Sequence, residues 1–106
     1  MLVPLTDLRS AIEMLDRELE LYPIWLCPFK LLAQEGMLRC PANRDEMFVD
    51  IGLYGAPQSD QFDPEKTLRK VEQFVRSSGG FQMMYAESCM TREEFREMFD
   101  HTLYDR

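Results

Sequence analysis

Trp25, Asp50, Tyr54 and Tyr85, with Lys30 nearby, are the side chains that a strand pattern carries out of the core. Phenols and a carboxylate can hold or exchange protons, and an indole can stack on a flat ring. Such residues are more often core or rim than catalytic, and together they make no self-contained active site. The five glycines form neither a dinucleotide fingerprint nor a phosphate loop. There is no His-Glu-x-x-His pair and no nucleophile elbow. Cys27, Cys40 and Cys89 are too far apart for a Cys-x-x-Cys motif or a zinc site, so they read as reduced thiols of a cytosol-facing protein. The lone histidine, His101, has no spacing that pairs it with a cysteine. Glu93, Glu94 and Glu97 read as a solvated helix face.

The 106 residues suffice for one domain with one core, and 45% hydrophobic content places the chain in the globular class. A net charge of −7 argues against nucleic acid and against an anionic membrane surface as partners. No apolar run is long enough to cross a membrane, and the first residues lack a secretory leader pattern.

The elements that must position the candidates follow in order. Met1 to Pro4 is the tail of a strand. Leu8, Ala11, Ile12, Leu15 and Leu19 recur at helical spacing, with Thr6 or Asp7 as the cap and an end near Glu20. Residues 22–31 are apolar on both parities, which predicts a strand covered on both faces. Pro23 and Pro28 place it at a sheet edge. A loop over 33–46, containing Gly36, Pro41 and Asn43, leads to a second strand over 47–54. There Met47, Val49, Ile51 and Leu53 face the helices, and Phe48, Asp50, Gly52 and Tyr54 face away. That second face reads either as a surface receiving a ligand or domain, or as a solvated face decorated by chance. Asp63-Pro64 starts a helix with the stripe Leu68, Val71, Phe74 and Val75, ended by Gly79-Gly80 with one glycine left-handed. Residues 81–86 predict a last strand. Thr91-Arg92-Glu93-Glu94 is a capping box for a helix burying Phe95, Met98 and Phe99, with Leu103 as a possible continuation. The plan is α+β: a ferredoxin-like antiparallel sheet, helices on one face, its first strand truncated. The open face is apolar and aromatic, fit for an interaction surface or a ligand lid.

Five blocks carry a resemblance. Tyr-Pro-Ile-Trp-Leu-Cys-Pro-Phe (22–29), Asp-Ile-Gly-x-Tyr-Gly (50–55), Phe-Val-Arg-Ser (74–77), Gly-Phe-Gln-Met-x-Tyr-Ala (80–86) and Arg-Glu-Glu-Phe-x-Glu-Met-Phe-Asp (92–100) resemble the C-terminal part of the Diminuto-like delta(24)-sterol reductases. Order and spacing match over nearly the whole chain. Two positions depart from the family pattern. His101 stands where a smaller residue is expected, and Lys30 where an apolar one is more usual.

The resemblance implies a flavoprotein of the vanillyl-alcohol-oxidase type, anchored in the endoplasmic reticulum membrane with its catalytic part facing the cytosol. It reduces the side-chain double bond of a sterol with NADPH. Residues 1–106 would be a single, partial substrate or cap domain, with the FAD-binding domain and the anchor lying elsewhere in the parent chain. Met1 would match an internal position. The sheet would lie over the FAD ring, inactive by itself. Trp25, Phe48, Asp50 and Met83 would line the sterol pocket. Tyr85, with Tyr54 second, would be the weak acid that supplies a proton. The competing role for Tyr85 is packing under the last helix. Two readings of other classes stand beside this one: an interaction module that makes homo-oligomers through its exposed sheet, and a binder of small apolar ligands.

Overall fold

The strand that organises the molecule is the central one, Glu46–Leu53 (β3). The computed structural model describes residues 1–40 and 43–106, so Pro41 of the predicted 33–46 loop lies outside the described residues. Antiparallel to β3 on one side runs Leu2–Pro4 (β1), with Leu2 opposite Asp50 and Val3 opposite Val49. On the other side runs Ile24–Leu31 (β2), with Trp25 opposite Gly52, Cys27 opposite Asp50 and Phe29 opposite Phe48. The sheet order is β1-β3-β2, which leaves β2 at the edge, where its prolines need no ladder partner. An isolated antiparallel bridge joins Leu2 to Phe81. Adding it gives the ferredoxin-like order, with the fourth strand reduced to one residue.

Alternation decides the faces. Val3, Val49 and Ile51 are buried with Ala11 and Leu15 of the first helix, Leu8–Leu19 (α1), and with Val75 of the second, Pro64–Ser77 (α2). Packing two apolar helical stripes on an aliphatic sheet face is what an amphipathic α+β chain must do to leave water. The third helix, Arg92–Met98 (α3), is tied to α2 by Glu94, whose Oε1 accepts from Arg69 at 2.9 Å and Arg76 at 3.0 Å.

Local signals fixed most boundaries. Asp63 caps α2 by accepting from the Lys66 amide at 3.1 Å, with Pro64 at the first helical position. The capping box on α3 is complete, Thr91 and Glu94 each accepting from the other's amide. Gly79 is left-handed, with φ 71°. A Cβ at Gly80 would lie 2.3 Å from the Leu2 carbonyl oxygen, so only glycine lets β1 come alongside.

Five expectations need correction. Neither Thr6 nor Asp7 caps α1 through its side chain; a single 3-10 turn, Leu5–Asp7, leads into it instead. The edge strand is not covered on both faces. Trp25 and Leu26 are both exposed: Trp25 lies with Gly52 on the face away from the helices, and Leu26, on the helix side, sits at the sheet edge beyond them. Phe48 does not lie on an open surface. It is fully buried, its ring 6.0 Å from Phe29 and 5.7 Å from Phe81, and these rings close that end of the face. The strand predicted over 81–86 is reduced to Phe81, which makes the single bridge to Leu2, and the backbone turns over residues 84–86. Leu103 does not extend α3, since Phe99 has already turned to extended backbone.

Candidate functional site

The uncovered half of the sheet carries the candidate site. Trp25 and Gly52 are cross-strand partners, and Tyr54 follows two residues on along the same face. A Cβ at Gly52 would lie 2.9 Å from Tyr54 Cε2 and 3.2 Å from Trp25 Cε3. The missing side chain therefore lets both rings settle over the strand. Trp25 is 51% exposed, Tyr54 71% and Tyr85 81%. Tyr85 does not pack under the last helix. Asp50 is half-buried on the same face.

Beside this patch opens a cleft of about 320 Å³ between α1, α2 and β3. Its inner wall is aliphatic, with Leu15, Leu19, Leu53, Leu68 and Val71; Asp50, Gly52, Tyr54 and Tyr85 stand at its mouth. Thus the fold brings together Tyr85, Tyr54 and Asp50 from separate parts of the sequence. It puts Trp25 next to them across Gly52, leaves Met83 exposed and off the cleft lining, and removes Phe48 to the core. Lys30 lies away from this group, paired with Asp45 at 2.8 Å.

The electrostatics suit a neutral phenol. The Tyr85 hydroxyl is pushed above its ordinary value of 10.0, first by the adjacent Tyr54 oxygen, then by desolvation, and last by the Asp50 charge. It keeps its proton at neutral pH and can donate it. The thiol of Cys89 is likewise pushed up, by desolvation and then by Glu72, which keeps it in its unreactive form. Cys27 and Cys40 are also free, and no metal-binding cluster is present among the described residues.

One positioning residue escaped the sequence reading. Glu72 of α2 is 1% exposed, and its Oε1 accepts from the Ser88 hydroxyl at 2.8 Å, the Cys89 amide at 2.9 Å and the Gln82 side chain at 3.3 Å. Its Oε2 has no partner. This carboxylate pins both ends of the segment that presents Tyr85. The signal was available: 68, 71, 72 and 75 form one helical stripe, and Glu72 is the charged member of it.

Comparison with known proteins followed the same line. No family model matches, and no solved structure matches. The chain is 50% identical over 105 residues to the Caenorhabditis elegans protein named Delta(24)-sterol reductase homolog dhcr-24, an alignment covering 99% of this chain and 20% of that protein. It is 46% identical over its whole length to the human Delta(24)-sterol reductase, again 20% of the relative. The Arabidopsis thaliana Delta(24)-sterol reductase is 36% identical across 99% of this chain and 22% of its own length. The chain therefore spans about one fifth of the length of the curated relatives it matches. At these identities over its full length, the chain is homologous to a one-fifth segment of the delta(24)-sterol reductases.

Proposed function

We propose that residues 1–106 form the substrate-side cap of an FAD-dependent, NADPH-using delta(24)-sterol reductase, and that the cap reduces nothing by itself. The observation that carries this reading is the exposed cluster of Trp25, Tyr54 and Tyr85 on an otherwise acidic domain. Aromatic rings left in water beside an apolar cleft fit a surface meant to be covered. Trp25 and Tyr54, lying over Gly52, fit the flat ring of a flavin or the apolar tail of a sterol. The chain has no glycine-rich cradle for a phosphate, so the FAD-binding domain of the parent chain would hold the rest of the cofactor.

When bound, the flavin supplies the hydride that goes to one carbon of the sterol side-chain double bond. The protein must then deliver a proton to the other carbon. Tyr85, beside Tyr54, holds that proton on its hydroxyl oxygen. Trp25 orients the apolar tail and excludes water. Met83, exposed and two residues before Tyr85 in the chain, is a further candidate contact for the sterol. The parent would sit at the endoplasmic reticulum membrane with this face toward the cytosol. In this chain no helix is long and apolar enough to cross a membrane, among the described residues.

The test is a chimera in which this chain replaces the matching segment of the human relative. The chimera should reduce a delta(24) sterol, and Tyr85→Phe should lower kcat by roughly 100- to 10,000-fold with little change in KM. Trp25→Ala should act mainly on KM. The 106-residue chain alone should carry no flavin absorbance. A Tyr85→Phe chimera with undiminished kcat would remove Tyr85 as the donor, and a yellow isolated chain would overturn the cap reading.

The same exposed aromatics support a second reading, a surface through which copies of the chain associate. Size-exclusion chromatography with light scattering decides it: a clean monomer at high concentration removes the association.

A further inference from the structure

The block Asp-Ile-Gly-x-Tyr-Gly (50–55) holds two glycines that are there for different reasons. Gly55 has φ 144°, a backbone setting that a side chain strains. Gly52 has a negative φ and lies inside β3, paired with Trp25. Any residue adopts that backbone, and glycine weakens a strand interior by leaving nothing to pack. Backbone freedom therefore does not account for Gly52; space does.

A Cβ there would lie 2.9 Å from Tyr54 Cε2, 3.4 Å from the Tyr54 hydroxyl oxygen and 3.2 Å from Trp25 Cε3. Side chains of a strand ordinarily stand perpendicular to the sheet. Tyr54 follows directly after β3, and both the edge and the hydroxyl of its phenol come back over position 52, so the ring lies along the strand. Trp25 reaches the same spot from β2. Two rings from two parts of the chain converge on one bare Cα, as aromatic side chains do when they cover a glycine in a sheet.

We propose that Gly52 is a positioning residue: its bare Cα seats Tyr54 and Trp25 as one low floor, and that floor receives the apolar body of the sterol. The ligand of the floor rests on the reductase reading; the seat does not. A side chain at 52 lifts the Tyr54 ring off the strand and displaces the Trp25 indole. Both rings are exposed, so they can swing into water and the fold survives the change. What is lost is a flat apolar surface at the mouth of the cleft, which Gly52 and Tyr54 line together with Tyr85. A rigid ligand resting on that surface has its height against Tyr85 set by the seat. Dispersion contacts weaken steeply once a gap of an ångström opens, so a raised ring costs affinity.

The chain has a single tryptophan, so its fluorescence reports Trp25 alone. Gly52→Ala should move the emission of the 106-residue chain to longer wavelength and increase its quenching by acrylamide, with a cooperative thermal transition retained. In a Tyr54→Ala background, where no phenol competes for the space, the same substitution should move it much less. Equal shifts in the two backgrounds, or no shift in the first, overturn the seat. In the chimera with the human relative, Gly52→Ala should raise KM for a delta(24) sterol roughly three- to tenfold with kcat little changed, the loss expected of one aromatic contact. It should add little to the effect of Trp25→Ala, because both act through the same floor. An unaltered KM in an active chimera overturns the positioning role and leaves Gly52 a structural residue. An inactive wild-type chimera counts instead against the reductase reading, and the emission pair still decides the seat.

Discussion

Tyr85 and Glu72 illustrate two ways a residue serves a site. Tyr85 stands in solvent with its proton retained, while Glu72 is sealed in the core and holds the segment that carries it. Removing the carboxylate strands the donors of Ser88, Cys89 and Gln82. Glu72→Ala should therefore cost roughly 1–3 kcal/mol in urea unfolding. Glu72→Gln, which keeps one acceptor oxygen, should cost less and should keep the Cys89 amide slow to exchange. If alanine and glutamine behave alike, the tether is not what the carboxylate provides. Tyr85 and Tyr54 were legible as candidates from strand parity and residue type. Their meeting with Asp50 at one cleft was not, because no spacing in the sequence relates residues 54 and 85.

At the scale of elements, the helices followed their local signals and the strands depended on partners. Asp63-Pro64 and Thr91 to Glu94 specify their own helix starts, since a cap acts within one turn. Thr91→Ala should destabilise the protein by about 1 kcal/mol, with lost helical signal confined to α3. Glu94 serves both the cap and the Arg69 and Arg76 pairs, so an unaltered α3 in that variant would mean the ion pairs alone hold the helix. The segment 81–86 has the composition of a strand and becomes one only at Phe81. A strand is not a local object: its backbone groups need a neighbour, and here they find one only at Leu2. The same reasoning explains Phe48. Alternation put it on the outward face correctly, and the flanking rings of Phe29 and Phe81 then buried that end.

For the molecule as a whole, charge sets the response to pH. The carboxyls of Asp63, Glu94 and Asp100 are held below their ordinary values, chiefly by hydrogen bonds from backbone amides or from Thr102. An acid with a depressed folded pKa gives stability that is present above its unfolded value and lost as pH falls through the folded one. Stability should therefore decline on acidification below the ordinary 3.8 of Asp and 4.5 of Glu. The Met1 amine is also depressed, but the charged form is the penalised one, so stability should rise with pH up to the ordinary value of 8.0 and then level off. Urea midpoints across pH check both windows. Acetylating the amine should abolish the upper step and spare the lower one; persistence of the upper step would place its origin elsewhere.

From the residue order alone came the α+β class, the central aliphatic strand, the edge position of the proline-bearing strand, the helix starts and the kinship with delta(24)-sterol reductases. Each rests on interactions within a few residues or on the hydrophobic period, which the chain writes directly. Tertiary structure decided which half of the outward sheet face stays open, that Tyr54, Tyr85 and Asp50 share one mouth, and that a buried carboxylate tethers the Tyr85 segment. Those outcomes depend on which partner each backbone edge and each ring finds, and pairing across roughly 15 to 80 residues leaves no period in the sequence to read.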